Sequence, residues 1–309
     1  MATDAPAPAA FLSKFADNER VHESFYRPEG VDSKVKIKLY YTFELAESFA
    51  ILRYLLESKE FSDRGMEVTQ FIVTQVENHY AAWAYRKSYF LKLADPQTVR
   101  PEIDFTTHLI LQEPKGFQTW DHLRFCYDRL GQLAYPYFVD FLSQIYDHDA
   151  KNYHAWTFRV WATGRFGFHQ DEWGLMSELL KRDVTNNSIW SYRIFLAANI
   201  QAPPQGEKEF VTGLINGGQL SNESAWFYFD SLYENEGVYS PEQASFLESL
   251  VAGGKANRFV YKSLIFNELR RPRDERNKDK LGKWVSQLTD QHDVNRKRFW
   301  QGFAKSFIG

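Results

Sequence analysis

Two lysines stand at matching places in this 309-residue chain. Lys115 lies five residues before Trp120 and Lys151 five before Trp156, each just ahead of a stretch that reads as a helix start. Phe117 and Gln118 follow the first lysine; Asn152, Tyr153 and His154 follow the second. A cation at a helix N-terminus opposes the helix dipole, at a cost of about half a kcal/mol. Residues that break a local rule are candidates for function. An ammonium beside unpaired N–H groups makes a site for an anion, phosphate above all. The aromatic neighbours suit a ligand that joins that anion to an apolar body. Two flexible surface lysines explain the same spacing equally well. Covalent and metal chemistry find no parts here. The eight histidines include no i, i+4 pair, and Cys126 is the single cysteine, so no zinc constellation is read. No P-loop, Gly-rich dinucleotide turn, nucleophile elbow or kinase set is present.

The two tryptophans that mark these places belong to a longer series: Trp83, Trp120, Trp156, Trp190 and Trp226, at intervals of 37, 36, 34 and 36 residues. Such a period is the length of one helical hairpin. A lone hairpin cannot bury its apolar faces, so hairpins stack on their neighbours. Asn152, Asn186 and Asn222 stand four residues before their tryptophans, where each can cap the helix carrying the indole. Arg86, Arg159 and Arg193 stand three after. Repeated positions read first as lattice: Trp in the core between hairpins, Asn as cap, Arg bridging neighbours. Function is then sought where one repeat departs from its siblings. Two before each Trp the residues are Ala81, Gln118, His154, Ser188 and Ser224; three before, Tyr80, Phe117, Tyr153, Asn187 and Glu223. Long polar side chains two before the indole occur in the two repeats that carry the lysines. Lys115, Phe117, Gln118, Asn152, Tyr153 and His154 should therefore cluster on one rim.

The elements that position them follow from the same period. First helices of the hairpins are expected near 62–76, 101–112, 135–147, 169–182, 206–217 and 240–252. Second helices should start near 117, 153, 187, 223 and 257, with Asn257 and Tyr261 forming a faded sixth copy. Gly217–Gly218 and Gly253–Gly254 read as helix stops. Two last helices, near 278–291 and 294–307, close the stack, and a further helical stretch opens it at 34–57. The class is all-α: a right-handed superhelix of about six to seven stacked hairpins over 34–309. A tail over 1–33 precedes it, disordered through residue 10 and irregular beyond. Apolar residues make up 44% of the chain and aromatic residues 17%, enough for a continuous core. A net charge of −3 gives no global pull toward nucleic acid or anionic membrane. No apolar run is long enough for a bilayer span and no signal peptide is read, so stable membrane insertion is not expected and the cytoplasm is the expected compartment. The mixed charge run at 270–280 reads as a solvated loop.

DAKNYHAW (149–156), LLKRDVTNNSIWSYR (179–193), NESAW (222–226) and DVNRKRFW (293–300) resemble the α subunit of the protein prenyltransferases, in particular the subunit shared by protein farnesyltransferase and type I geranylgeranyltransferase. The resemblance covers about residues 33–309. It implies a crescent of hairpins wrapped around a β subunit, itself an α-α barrel that holds the Zn2+ activating the substrate cysteine. The heterodimer would transfer farnesyl or geranylgeranyl from its diphosphate to a protein ending in a CaaX motif, with Mg2+ expected in the farnesyl reaction. On this chain the family's catalytic lysine falls on Lys115. Gln118 falls on the glutamine that binds the peptide's C-terminal carboxylate. Asn152, Tyr153 and His154 fall on the segment lining the diphosphate and the start of the prenyl chain. Gly116 and Phe117 depart from the family's Asn-Tyr, so the ring is kept at 117 and its hydroxyl is not. The α subunit of the type II enzyme, which prenylates Rab proteins, is the nearest alternative, disfavoured by KNYHAW and NNSIW. A non-catalytic TPR-like scaffold is another, disfavoured by the absence of the Gly-x-x-Tyr and late-Pro pattern.

Overall fold

The computed structural model describes residues 13–15, 42–200, 206–234 and 237–307. The expected disorder of residues 1–10 and the helical reading of 34–41 lie outside them. The described residues hold fifteen α-helices and no strand. They divide after Phe166 into two compact units. The first contains α1 (Phe43–Glu57) and three hairpins: α2 (Asp63–Gln75) with α3 (Tyr80–Lys92), α4 (Arg100–Gln112) with α5 (Phe117–Leu130), and α6 (Tyr135–His148) with α7 (Tyr153–Phe166). The second contains four: α8 (His169–Arg182) with α9 (Asn187–Asn199), α10 (Glu207–Leu214) with α11 (Glu223–Glu234), α12 (Pro241–Ala252) with α13 (Arg258–Leu269), and α14 (Lys278–Gln287) with α15 (Lys297–Phe307).

Hairpin boundaries agree with the period to within a residue or two, and the differences have local causes. α10 stops at Leu214, and Ile215–Gln219 widens into a π turn that contains Gly218 at φ 124°, a conformation open to glycine and strained for other residues. The expected helix 278–291 likewise gives way at Leu288 to a π turn through His292. In the N-terminal segment expected to be irregular, Ser13–Phe15 form a 3-10 turn and Phe15 is buried. Phe15 joins the core of α1, α2 and α3, with the Arg64 guanidinium 4.5 Å above its ring and Lys14 paired with Glu67.

Each repeated position does lattice work. All five tryptophans are buried, and each indole N–H donates to the carbonyl six residues earlier: Glu77, Pro114, Ala150, Val184 and Leu220, at 2.7 to 3.0 Å. Asparagines add the link between hairpins in the second unit. Asn222 accepts from the N–H groups of Ser224 and Ala225, and its amide donates to Val184 O at 2.8 Å, the same carbonyl that holds Trp190. Asn257 repeats this: it caps α13 and donates to Leu220 O at 2.7 Å, which also accepts from Trp226. One carbonyl thus fastens two successive hairpins.

Arg86 and Arg193 bridge as expected, through buried ion pairs; Arg159 lies against the rings of Phe138, Tyr146 and Trp156. Arg86 reaches forward to Glu102 of α4 with Nε at 2.7 Å. His122 Nε2 meets the same carboxylate oxygen, Oε1, also at 2.7 Å. Arg193 reaches Glu207 of α10 at 2.6 Å, and the Tyr228 hydroxyl donates to the same carboxylate. A group two residues after each next tryptophan therefore completes the link: Tyr228 after Trp226, and His122 after Trp120. Unpaired buried charges are costly, so each bridge requires all its members.

Candidate functional site

The rim expected from the sequence lies in the first unit, at the N-terminal ends of α5 and α7. The hairpin turn between α4 and α5 closes with Gly116 N–H donating to Glu113 O, which leaves Lys115 exposed at its tip. Lys115 makes no hydrogen bond or ion pair among the described residues. Phe117 opens α5 and is 63% exposed; Tyr153 opens α7 and is 74% exposed. Gln118 and His154, second residues of the same helices, are half-buried. The His154 ring lies parallel to Trp120, centroids 6.3 Å apart, and edge-on to Tyr153 at 5.6 Å. That stack joins the start of α7 to α5, and so brings the two lysine-bearing repeats to one rim.

Asn152 sits differently from Tyr153 and His154. It is buried, accepts from the Ala155 N–H at 2.9 Å and so caps α7 as Asn186, Asn222 and Asn257 cap their helices. Its observed contacts are those of the lattice. Lys151 is exposed, with its own N–H donating to Asp149 Oδ1 at 3.2 Å.

The turn holding Lys115 differs from its siblings in its cap. α3, α7, α9, α11 and α13 each receive a side-chain cap, from His79, Asn152, Asn186, Asn222 and Asn257. α5 receives none, because Gly116 occupies the capping position. A Cβ there would fall 1.4 Å from Glu77 Oε1, the end of a flexible side chain that would have to swing aside. That carboxylate accepts from the Thr119 hydroxyl at 2.9 Å. Burial pushes its pKa up, and the neighbouring Glu113 adds to the rise, against the Thr119 bond. The first-turn N–H groups of α5 thus have an exposed ammonium beside them and one half-buried carboxylate behind them. Helix N–H groups, the dipole and a cation together favour an anion. Tyr80 opens α3 and is 72% exposed, so three exposed rings stand at the same position of successive second helices. Its place three before Trp83 was visible in the sequence, but nothing there singled it out.

Among the described residues no group of three or more His, Cys, Asp or Glu side chains stands close enough to hold a metal ion. Cys126 is buried, and burial raises its thiol pKa, the opposite of an activated nucleophile. No helix of the described residues is long and apolar enough to cross a membrane.

Helical hairpins fastened by Trp, Asn and Arg, with one rim of cationic and aromatic side chains, define an all-α helical-repeat protein. The family model described as "Protein prenyltransferase alpha subunit repeat" matches residues 139–166 and 169–200, which are the hairpins α6–α7 and α8–α9. In those two hairpins the chain carries the repeat that this family model describes. It is 22% identical over 193 residues to mouse geranylgeranyl transferase type-2 subunit alpha, covering 56% of this chain and 34% of that protein. It is 26% identical over 96 residues to the Candida albicans protein farnesyltransferase/geranylgeranyltransferase type-1 subunit alpha, covering 31% of each. Its fold matches a chain of Candida albicans protein geranylgeranyltransferase-I complexed with GGPP, with a TM-score of 0.73 and 21% identity over 87% of this chain and 92% of that one. The match to the mouse protein spans about a third of that relative's length.

Proposed function

We propose that this chain is the α subunit of a heterodimeric CaaX protein prenyltransferase, supplying Lys115 to the diphosphate of a prenyl donor. The observation that carries the proposal is the exposed ammonium at the uncapped start of α5, with Tyr153 and His154 brought alongside by the His154–Trp120 stack. As C1 of the prenyl group leaves its bridging oxygen for sulfur, negative charge grows on the diphosphate. A preplaced cation stabilises that change more than the ground state. Gln118 would bind the peptide's terminal carboxylate, Tyr153 and His154 the diphosphate, and Phe117 the apolar chain. Asn152 would act chiefly by fixing Tyr153 and His154 through its cap. A partner β subunit would hold the Zn2+ that lowers the pKa of the substrate thiol, and Mg2+ would assist the farnesyl reaction. The type II reading is kept as the alternative, on the similarity to geranylgeranyl transferase type-2 subunit alpha.

The test is co-expression with candidate β subunits, followed by transfer assays with farnesyl and geranylgeranyl diphosphate on CaaX peptides and on Rab acceptors. Lys115→Ala should slow single-turnover transfer by about two orders of magnitude while leaving heterodimer assembly and peptide affinity near normal. Normal turnover by that variant would remove Lys115 from the reaction. Transfer to Rab acceptors alone would select the type II reading.

A further inference from the structure

A cleft of about 600 Å3 opens in the second unit between the second helices of three successive hairpins, α9, α11 and α13. Rings line it: Trp226 and Phe259 are buried, and Phe227 is 54% exposed. Two opposite charges line it as well, Asp230 of α11 and Lys262 of α13. Their places are set by the repeat. Asp230 stands four residues after Trp226, as Lys87 stands four after Trp83. Lys262 stands one after Tyr261, as Asp121 stands one after Trp120. In the earlier copy those two places form a rung between hairpins, Lys87 Nζ to Asp121 Oδ2 at 2.5 Å. In the later copy the signs are exchanged and the rung is open.

Neither charge has another partner among the described residues. Asp230 Oδ1 is closed off from solvent and accepts no hydrogen bond. Ser263 leans toward the carboxylate and lowers its pKa, but its hydroxyl too is buried without a hydrogen bond. Lys262 makes no ion pair, and its ammonium lies 5.8 Å from the Phe266 ring. The remaining charge at the cleft is already answered, since Glu223 pairs with Arg258 at 3.4 Å. Burying a carboxylate without a partner is costly. Burial accordingly raises the pKa of Asp230 to about 6, with Glu234 adding to the rise and Lys262 and Arg270 opposing it. A recess of this size, with apolar walls, a few convergent polar groups and a perturbed carboxyl, suits a small ligand. An unpaired anion and an unpaired cation on neighbouring helices ask for the opposite pair in that ligand.

We propose that this cleft binds a small dipolar ligand of the α-amino-acid class with an apolar side chain. Its ammonium meets Asp230, its carboxylate meets Lys262, and its side chain lies against Phe227 and Phe259. The ligand closes the rung that the chain leaves open. The inference is independent of the role given to Lys115.

The experiment is calorimetric titration of the full chain, and of its complex with any co-purified partner, with L-leucine and L-phenylalanine. Each is compared with its amide, which lacks the carboxylate, and with its N-acetyl derivative, which lacks the ammonium. Either loss should weaken binding by at least about tenfold. Asp230→Asn should weaken binding of the amino acid by a similar factor and leave that of the N-acetyl derivative unchanged. Lys262→Gln should do the same, with the amide as the insensitive ligand. Affinity should fall as the pH drops below about 6 and Asp230 takes up a proton, and Asp230→Asn should remove that fall. If Asp230→Asn fails to fold, Lys262→Gln must still abolish the difference between amino acid and amide. Four results overturn the proposal: no binding of either amino acid, derivatives bound as tightly as their parents, equal binding by the variants, or binding by the chain alone that the complex loses. The last would give the cleft to side chains of the partner.

Discussion

Glu102→Gln tests the physical account of the lattice most directly. Glu102 is buried and accepts from Arg86 and from His122. Burial alone would raise its pKa. The Arg86 guanidinium outweighs that effect, helped by His122, and holds the group down at about 2 against an ordinary 4.5. At 1.4 kcal/mol per tenfold, that displacement corresponds to a contribution on the order of 3 kcal/mol. A second route gives the same size: breaking a buried pair by neutralising one partner costs about 3–5 kcal/mol, because the other charge stays buried. Arg86 keeps bonds to Met66 O and Thr69 Oγ1, which places the expectation at the lower end, about 3 kcal/mol. For a domain of this size that is a fall in Tm of roughly 6–12 °C, read by circular dichroism and checked by urea unfolding. Arg86→Met/Glu102→Leu should be more stable than Glu102→Gln, since it removes both charges. The pH dependence follows with a definite sign. Glu102 has a depressed pKa, so its contribution is present above 4.5 and is lost as pH falls toward about 2. Burial also lowers the pKa of His122. The unfolded chain therefore takes up that proton first as pH drops below 6.5, and stability falls in the same direction. Glu102→Gln should flatten the lower part of this acid limb. A variant as stable as the wild type, with an unchanged acid limb, would refute the reasoning.

Other perturbations separate the lattice positions from one another. Trp190→Ala removes a fully buried ring and the bond to Val184 O and should cost about 3–5 kcal/mol; Trp190→Phe, which keeps most of the ring, should cost about 1–2 kcal/mol. Both are read by urea unfolding. Asn222→Ala loses a cap and the link to the preceding hairpin, for about 2 kcal/mol in all. Asn152→Ala should lose about 1 kcal/mol, because its amide reaches Asp149 only at 3.5 Å. Phe15→Ala should lower stability by roughly 3 kcal/mol, whereas a merely irregular tail would leave the Tm unmoved.

The hairpins were legible in the sequence because the features that make them are residue types at fixed spacing. Asparagine caps, tryptophan recurs, and glycine or proline interrupts. What stayed hidden depends on backbone or on distant neighbours. The carbonyls that hold the indoles belong to Glu77, Pro114, Ala150, Val184 and Leu220, which share no side-chain property, because the acceptor is the main chain. Gly116 could be noted as a departure from its family, but the carboxylate packed against it belongs to Glu77, a residue of the previous turn. Phe15 closes the short run FLSKF (11–15), which is too brief to distinguish a core contact from an irregular tail. Asn152 read as a ligand contact and as a cap; the folded chain displays the cap. The words KNYHAW and NNSIW, taken to favour the CaaX enzymes, occur in a chain that is also similar to type II α subunits, so they do not by themselves separate the two.

The indole-to-carbonyl bond works as a ruler. The distance along the chain from acceptor to tryptophan is six residues in all five copies, although the copies themselves differ in length by up to three. Growth and shrinkage must therefore be absorbed outside this turn. A residue inserted between Val184 and Trp190 would unfasten two hairpins at once, whereas a lengthened connection elsewhere would leave the clasp closed. Insertions engineered into this protein have a place where they can go and a place where they cannot.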